Sequence, residues 1–357
     1  MENPTHAAIS LQSTHHGAAM AGVSGGSLAA ETCRAGALGF IAAGHLTDSS
    51  KLRQLEREIA LFRSAAPEGA PLCIGFISYS TFQNEGWNYY EEVLQKHRPD
   101  VIQFFAPTIC TNDKDETTNV EIAHNYQAKV IGQVGSVSEG IQAIKGGVDA
   151  IIAQGSEAGG HGLRRELGNG TLSLAARMVK LAPEVSPNDK RPLVLAAGGI
   201  TDGRGVAAAL ALGCDGAVLG TRLWASQEAL NKASLKDQLV VAKSCDDVHR
   251  TRVFDQINNI HSATPWPAPY DSVGALRNKM SDLWDGNAEE LEKELSKEGS
   301  ALISEYQEAA KLGDPSIAQV FAGEGVGEIN SIEPAYDIVQ RIDQEAREVI
   351  QNMVHLL

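Results

Sequence analysis

The sequence predicts an α/β fold, a (β/α)8 barrel with an additional C-terminal helical segment. Three observations carry that expectation. Eight short apolar runs recur over the first two thirds of the 357 residues. They are apolar on successive positions rather than alternating, as strands buried on both faces are in a parallel sheet. Helix-like segments separate them, which is the pattern of βαβ units.

The runs are "GAAMAGV" (17–23), "LGFIAAG" (38–44), "LCIGFIS" (72–78), "VIQFFAPT" (101–108), "KVIGQVGS" (129–136), "AIIAQG" (150–155), "LVLAAGGI" (193–200) and "GAVLGTR" (216–222). The first has the weakest strand signal. Between them, "SLAAETCRAG" (27–36) opens on Ser27 as a candidate N-cap, with Glu31 in the first turn. Residues 48–65 place Leu52, Leu55, Ile59 and Leu61 on a helical stripe. Further helical segments fill the gaps after the third to seventh runs. Eight strands suggest closure of the sheet, and an open doubly wound sheet is the alternative. Past residue 223 the pattern becomes mainly helical. Residues 262–272, "SATPWPAPYDS", form a Pro-rich loop with two aromatics, and the last helix carries Ile338, Ile342, Ile350 and Val354 on one side. The expected division is a barrel over 1–225 and a helical cap or outer layer over 226–357.

Bulk properties exclude several classes. The chain is 43% hydrophobic and 21% charged, with a net charge of −15. Nucleic-acid binding needs a basic footprint, so nucleic acid is not an expected partner. No apolar run reaches the length of a membrane span, and residues 1–20 lack the basic start and apolar core of a secretory signal. The five cysteines are widely spaced and form no CxxC, which argues against a disulfide framework or a zinc site and for a reducing cytoplasm. The helical tail leaves a homodimer open.

In a barrel the working residues sit on the loops after the strands. The loops after the last two strands are glycine-rich, "AAGGITDGRG" and "LGTR", which is where barrels commonly hold phosphate on backbone N–H groups. A helix N-terminus after Gly199 would add its dipole, Thr221 a hydroxyl and Arg222 a cation. The spacing is not that of a dinucleotide fingerprint. The sixth strand runs into "AQGSEAGGHG" (153–162), where four glycines surround His161. Such glycines imply a close approach of the backbone to something else. A flat, phosphate-bearing cofactor beside them would face His161, a candidate general base. Glu157 is either a second acid or a partner for the loop's own N–H groups. His6, His15, His16, His45, His97, His124, His249, His261 and His355 are expected to be structural.

Residues 19–44, 148–162 and 194–222 together resemble the nitronate monooxygenase family, formerly the 2-nitropropane dioxygenases; the likeness is close over about 17–225 and looser through 261–270 and 321–329. The resemblance implies a TIM barrel that binds FMN non-covalently. It also implies oxidation of alkyl nitronates by O2 to a carbonyl compound and nitrite. By motif, Met20 and Gly22 would contact the flavin, and Gln133 would sit near its pyrimidine end. Gln154, Gly159 and Gly160 would line the ring. Ala197, Gly198, Gly199, Gly220 and Thr221 would hold ribityl and phosphate. His161 would take the proton from a neutral nitroalkane. Ala19 stands where the family usually has proline, and Gly25–Gly26 where it has a Thr-Pro-like pair, so a looser flavin edge near Met20 is expected. The rival functions are an NAD(P)H-dependent reductase of a quinone or enoyl thioester on the same flavin barrel, and a non-catalytic binding protein.

Overall fold

A computed structural model of the chain describes residues 15–46, 49–83, 86–187 and 190–354. In chain order the first six strands are β1 (His15–Gly17), β2 (Phe40–Ala42), β3 (Cys73–Ile77), β4 (Val101–Phe105), β5 (Lys129–Val134) and β6 (Ala150–Gln154). They are followed by β7 (Gly160–Gly162), β8 (Leu193–Ala197), β9 (Gly216–Leu219), β10 (Val248–Thr251) and β11 (Ser272–Leu276). Eight of these form one parallel sheet in the order β1-β9-β8-β6-β5-β4-β3-β2. A parallel bridge between His16 and Leu38 brings its two ends together, and the Gly17 N–H donates to the Leu38 carbonyl at 2.8 Å. The barrel expected from the sequence is therefore present, and the open sheet is not.

Side chains alternate between two cores, as the pleat requires. Phe40, Val101, Ile131, Ile152, Leu195 and Val218 fill the barrel interior. Ile41, Ile74, Ile102, Val130, Ile151 and Val194 point outward under the helices. Each such fully buried aliphatic side chain is worth about 1.5–3 kcal/mol.

Several local expectations change. The first strand is His15–Gly17, not 17–23. The backbone turns at Met20, whose carbonyl accepts from the N–H groups of Val23 and Ser24, and Gly22 takes φ +72° in that turn. The first helix is capped by no side chain of its own: it spans Gly26–Arg34, and the Gly26 N–H donates to the Glu58 carboxylate at 2.8 Å. Gly25–Gly26 is closely packed on the second helix. A Cβ on Gly26 would lie 2.0 Å from the Glu58 carbonyl oxygen, so glycine is required by close helix packing. In the second helix Phe62 is buried and Leu61 is exposed, because the stripe steps by three and four.

The tail contains both helices and strands. Its last helix, Ala335–Val354, lies on the barrel helices Gly203–Ala211 and Gly26–Arg34 and buries Ile338 and Ile342. Ile350 is exposed, and the Val354 side chain lies outside the described residues, as do His6 and His355. The tail strands β10 and β11 join β7 in a three-stranded antiparallel sheet over the barrel mouth. Among the described residues no helix is long and apolar enough to cross a membrane.

At the opposite end, the Asp149 carboxylate accepts from the Val130 N–H, Lys129 Nζ and His124 Nε2, all at 2.9 Å. Burial pushes its pKa up, but the His124, Val130 and Lys129 hydrogen bonds outweigh this and hold it at about 2. The folded pKa lies below the unfolded one, so this stabilisation is full above pH about 4 and is lost as pH falls toward 2. Asp149→Asn should therefore lower stability near neutrality by about 1–2 kcal/mol after discounting for solvent screening. The loss relative to wild type should shrink below pH 4 in denaturant titrations.

Candidate active site

The carboxyl ends of the barrel strands open into a cavity of about 440 Å³. Met20, Gln133, Gln154, Gly159, Gly160, His161, Ala197, Gly198, Gly199, Gly220 and Thr221 all line it. Gly22 does not; its turn carries it to the exposed side of Met20.

The strand-six loop is shaped by its neighbours. Gly160 has φ +70°. A Cβ on Gly159 would lie 2.6 Å from the Ala322 backbone, so what approaches this glycine is the chain's own segment 321–325, whereas Gly160 has nothing within 4 Å. The Gly323 N–H donates to Thr221 Oγ1 at 2.9 Å, and the Glu324 N–H to the Glu157 carbonyl at 2.9 Å. Gly323 and Gly325 thereby join the cavity wall. Behind the loop lies Arg250 from β10. Its Nη2 donates to the Ala158 carbonyl at 2.7 Å and its Nη1 to the Ser272 carbonyl at 3.1 Å. Burial pulls this guanidinium down to about 10, against the raising influence of Glu324 and Glu157.

The Glu157 carboxylate is tied to the start of the next helix rather than to the N–H groups of its own loop. Its carboxylate accepts from the Thr171 N–H at 2.8 Å and Thr171 Oγ1 at 2.8 Å, at the N-terminus of the helix Thr171–Val185. A carboxylate there is favoured by the helix dipole.

His161 sits on β7 with three partners: Asp255, which left no mark in the sequence pattern, Trp266 from the Pro-rich 262–272 loop, and Phe321. Its Nε2 is 2.9 Å from Asp255 Oδ1, and Asp255 is only 1% exposed. Trp266 stacks on its ring at 3.6 Å and 14°, and Phe321 meets it edge-on at 5.7 Å. Asn259 fixes Trp266 on both sides: its Oδ1 accepts from the Trp266 N–H at 2.9 Å and its Nδ2 donates to the Trp266 carbonyl at 3.2 Å. Tyr79 and Phe105 pack on the far side of Trp266, completing an apolar box. With Asp255 accepting at Nε2, the proton stays on that nitrogen and Nδ1 keeps its lone pair. That is the state a general base requires. His45, expected to be structural, lies on the cavity wall; burial and Lys51 hold its pKa below the usual value.

The phosphate expectation is revised in two parts. Gly198 and Gly199 take φ +118° and +70°, backbone that side chains rarely adopt, and turn the chain sharply beside the cavity. The helix after them does not offer its N-terminus: Asp202 accepts from the Gly205 N–H at 3.1 Å and Glu345 from the Gly203 N–H at 3.0 Å. Arg222 points away from the cavity, donates to the Ala225 carbonyl at 3.2 Å and lies 3.7 Å from Glu333. An anion at this end would meet the backbone of Gly198–Thr201 and Gly220–Thr221 and the Thr221 hydroxyl, since the Thr201 hydroxyl already donates to the Gly325 carbonyl at 3.2 Å.

The cavity fits a flat, phosphate-bearing ring cofactor in two further respects. Gln103 lines the cavity, and its buried Oε1 has no hydrogen-bond partner among the described residues. The glycine turns leave backbone, not side chains, at the strand-eight and strand-nine ends.

Comparison with known proteins bears on what this cavity does. A family model described as nitronate monooxygenase matches residues 6–345. The chain is 31% identical over 364 residues to the nitronate monooxygenase of Neurospora crassa, covering 93% of this chain and 88% of the relative. It is 30% identical over 352 residues to a nitronate monooxygenase of Metarhizium robertsii, covering 93% and 90%. Among solved structures, nitroalkane oxidase from Streptomyces ansochromogenes superposes with a TM-score of 0.73 at 24% identity, over 95% of this chain and 97% of that one.

Proposed function

Because this chain belongs to the nitronate monooxygenase family, and is thus an oxidoreductase, we propose that it oxidises alkyl nitronates with O2 to a carbonyl compound and nitrite, using FMN held in the barrel mouth. The observation that carries the proposal is His161, paired with Asp255, stacked on Trp266 and met edge-on by Phe321, with Tyr79 and Phe105 packed on Trp266, in the same cavity as the glycine turns.

A bound FMN would supply an electron acceptor for the nitronate and a donor to O2. The protein's residues do the rest. Gly198, Gly199, Gly220 and Thr221 would hold ribityl and phosphate. Met20, Gln133, Gln154, Gly159 and Gly160 would border the ring. The aromatic box takes the alkyl part of the substrate and excludes water from the reacting carbon. His161 removes the α-proton of a neutral nitroalkane onto Nδ1, and Asp255 balances the charge that appears on the ring. With a preformed nitronate no α-proton has to be removed, and a ring protonated from solvent would donate from Nδ1 to the nitronate oxygens. The five cysteines are free, which suits a reducing cytoplasm.

The test is turnover of the purified protein with propyl-2-nitronate under air. The proposal predicts oxygen uptake with nitrite release, and FMN in the supernatant after heat denaturation. Rapid NADH oxidation with an inert nitronate would instead place the chain among reductases.

A further inference from the structure

Three glutamines form a hydrogen-bonded chain across the barrel mouth. Gln103 Nε2, on β4, donates to Gln133 Oε1, on β5, at 2.7 Å. Gln133 Nε2 donates to Gln154 Oε1, on β6, at 2.9 Å. Gln154 Nε2 donates to the backbone carbonyl of His161 at 2.9 Å. The three strands are neighbours, and all three side chains line the cavity.

The polarity of this chain is set from one end. A peptide carbonyl only accepts, so Gln154 must turn its amide nitrogen to His161 and its oxygen to Gln133. The same logic passes through Gln133 to Gln103. What remains at the far end is Gln103 Oε1, buried on a residue 3% exposed, with no partner among the described residues. A dry amide oxygen costs about 1–3 kcal/mol. On a cavity wall it selects a ligand that brings an N–H. The oxidised isoalloxazine ring has one ring N–H, the imide between its two pyrimidine carbonyls.

We propose that Gln103 is a cofactor-binding residue that accepts a hydrogen bond from the flavin imide N–H, and that the glutamine chain joins this contact to the backbone of His161. The proposal rests on the flavin reading above. Gln154 then does more than border the ring. It fixes which face of every amide in the chain the ligand meets, and so acts as a positioning residue two side chains from the imide.

The test is fluorescence titration of the full chain, freed of cofactor, with FMN and with FMN methylated at the imide nitrogen. Wild type should bind FMN about tenfold more tightly than the methylated form. Gln103→Met should weaken FMN binding by about the same factor and abolish the discrimination. Gln154→Leu, which frees the upstream amides to flip, should also reduce the discrimination. Wild-type protein that binds both flavins equally would overturn the assignment while leaving the flavin reading intact. Equal discrimination by wild type and Gln103→Met would do the same. Wild-type protein that takes up neither flavin would overturn both.

Discussion

Gly199→Val yields a folded protein that purifies without flavin. Gly199 has φ +70°, a conformation that costs a β-branched residue about 1–3 kcal/mol. Valine relieves that strain by moving the backbone of the turn, and this turn, with Gly198, borders the end of the cavity assigned to phosphate. Backbone N–H groups hold an anion only at the positions the turn gives them, so a small shift removes several contacts together. FMN affinity should fall by at least about 100-fold, since two lost charge-assisted hydrogen bonds amount to about 3 kcal/mol. The fold should survive, because a Cβ at this position would meet nothing closer than 3.5 Å. Gly147→Val is the control. Gly147 has φ +85° with nothing within 4 Å of its Cβ; it precedes β6, at the strand end opposite the cavity, and is absent from the cavity wall. It should lose comparable stability and keep its flavin. Equal flavin content in both variants, measured by absorbance against protein concentration, would contradict the phosphate assignment.

His161→Asn should separate two activities. On a neutral nitroalkane, turnover should drop by about 10²–10⁴-fold, the usual contribution of a positioned general base. On the preformed nitronate the fall should be about tenfold or less, because only a hydrogen bond is lost. Asp255→Asn should show the same split with a smaller amplitude. It leaves Trp266 and the box in place but no longer fixes the proton on Nε2. Equal losses on both substrates would show that His161 holds the loop rather than the proton.

The barrel was legible in the chain because parallel strands bury both faces, and continuous apolar runs such as "VIQFF" or "LVLAA" result. β1 was misplaced for the same reason. The apolar run begins where the backbone already turns, while the strand itself is His-His-Gly with both histidines buried. The residues around the cavity followed from the glycine turns, since a positive φ or a close approach leaves glycine as the solution. The purpose of Gly159 was legible only in part: its neighbour is Ala322, more than half the barrel's length away in sequence. Asp255 left no local signal, and Trp266 showed only as one of two aromatics in the Pro-rich loop at 262–272. They reach His161 through the segments beside β10 and β11, short strands that pair with each other, β11 in turn pairing with β7 across long stretches of chain without a hairpin turn. Arg250 and the glutamine chain were hidden likewise, because a buried guanidinium or amide is recognised by its partners.

The central claim is that this cavity carries electrons from a nitronate to a bound flavin. Its most direct test is the visible spectrum of the purified protein mixed with propyl-2-nitronate in the absence of oxygen. The account predicts flavin bands near their usual wavelengths that bleach on mixing and return when air is admitted. Bands that stay unchanged with the nitronate and bleach with NADH would contradict it.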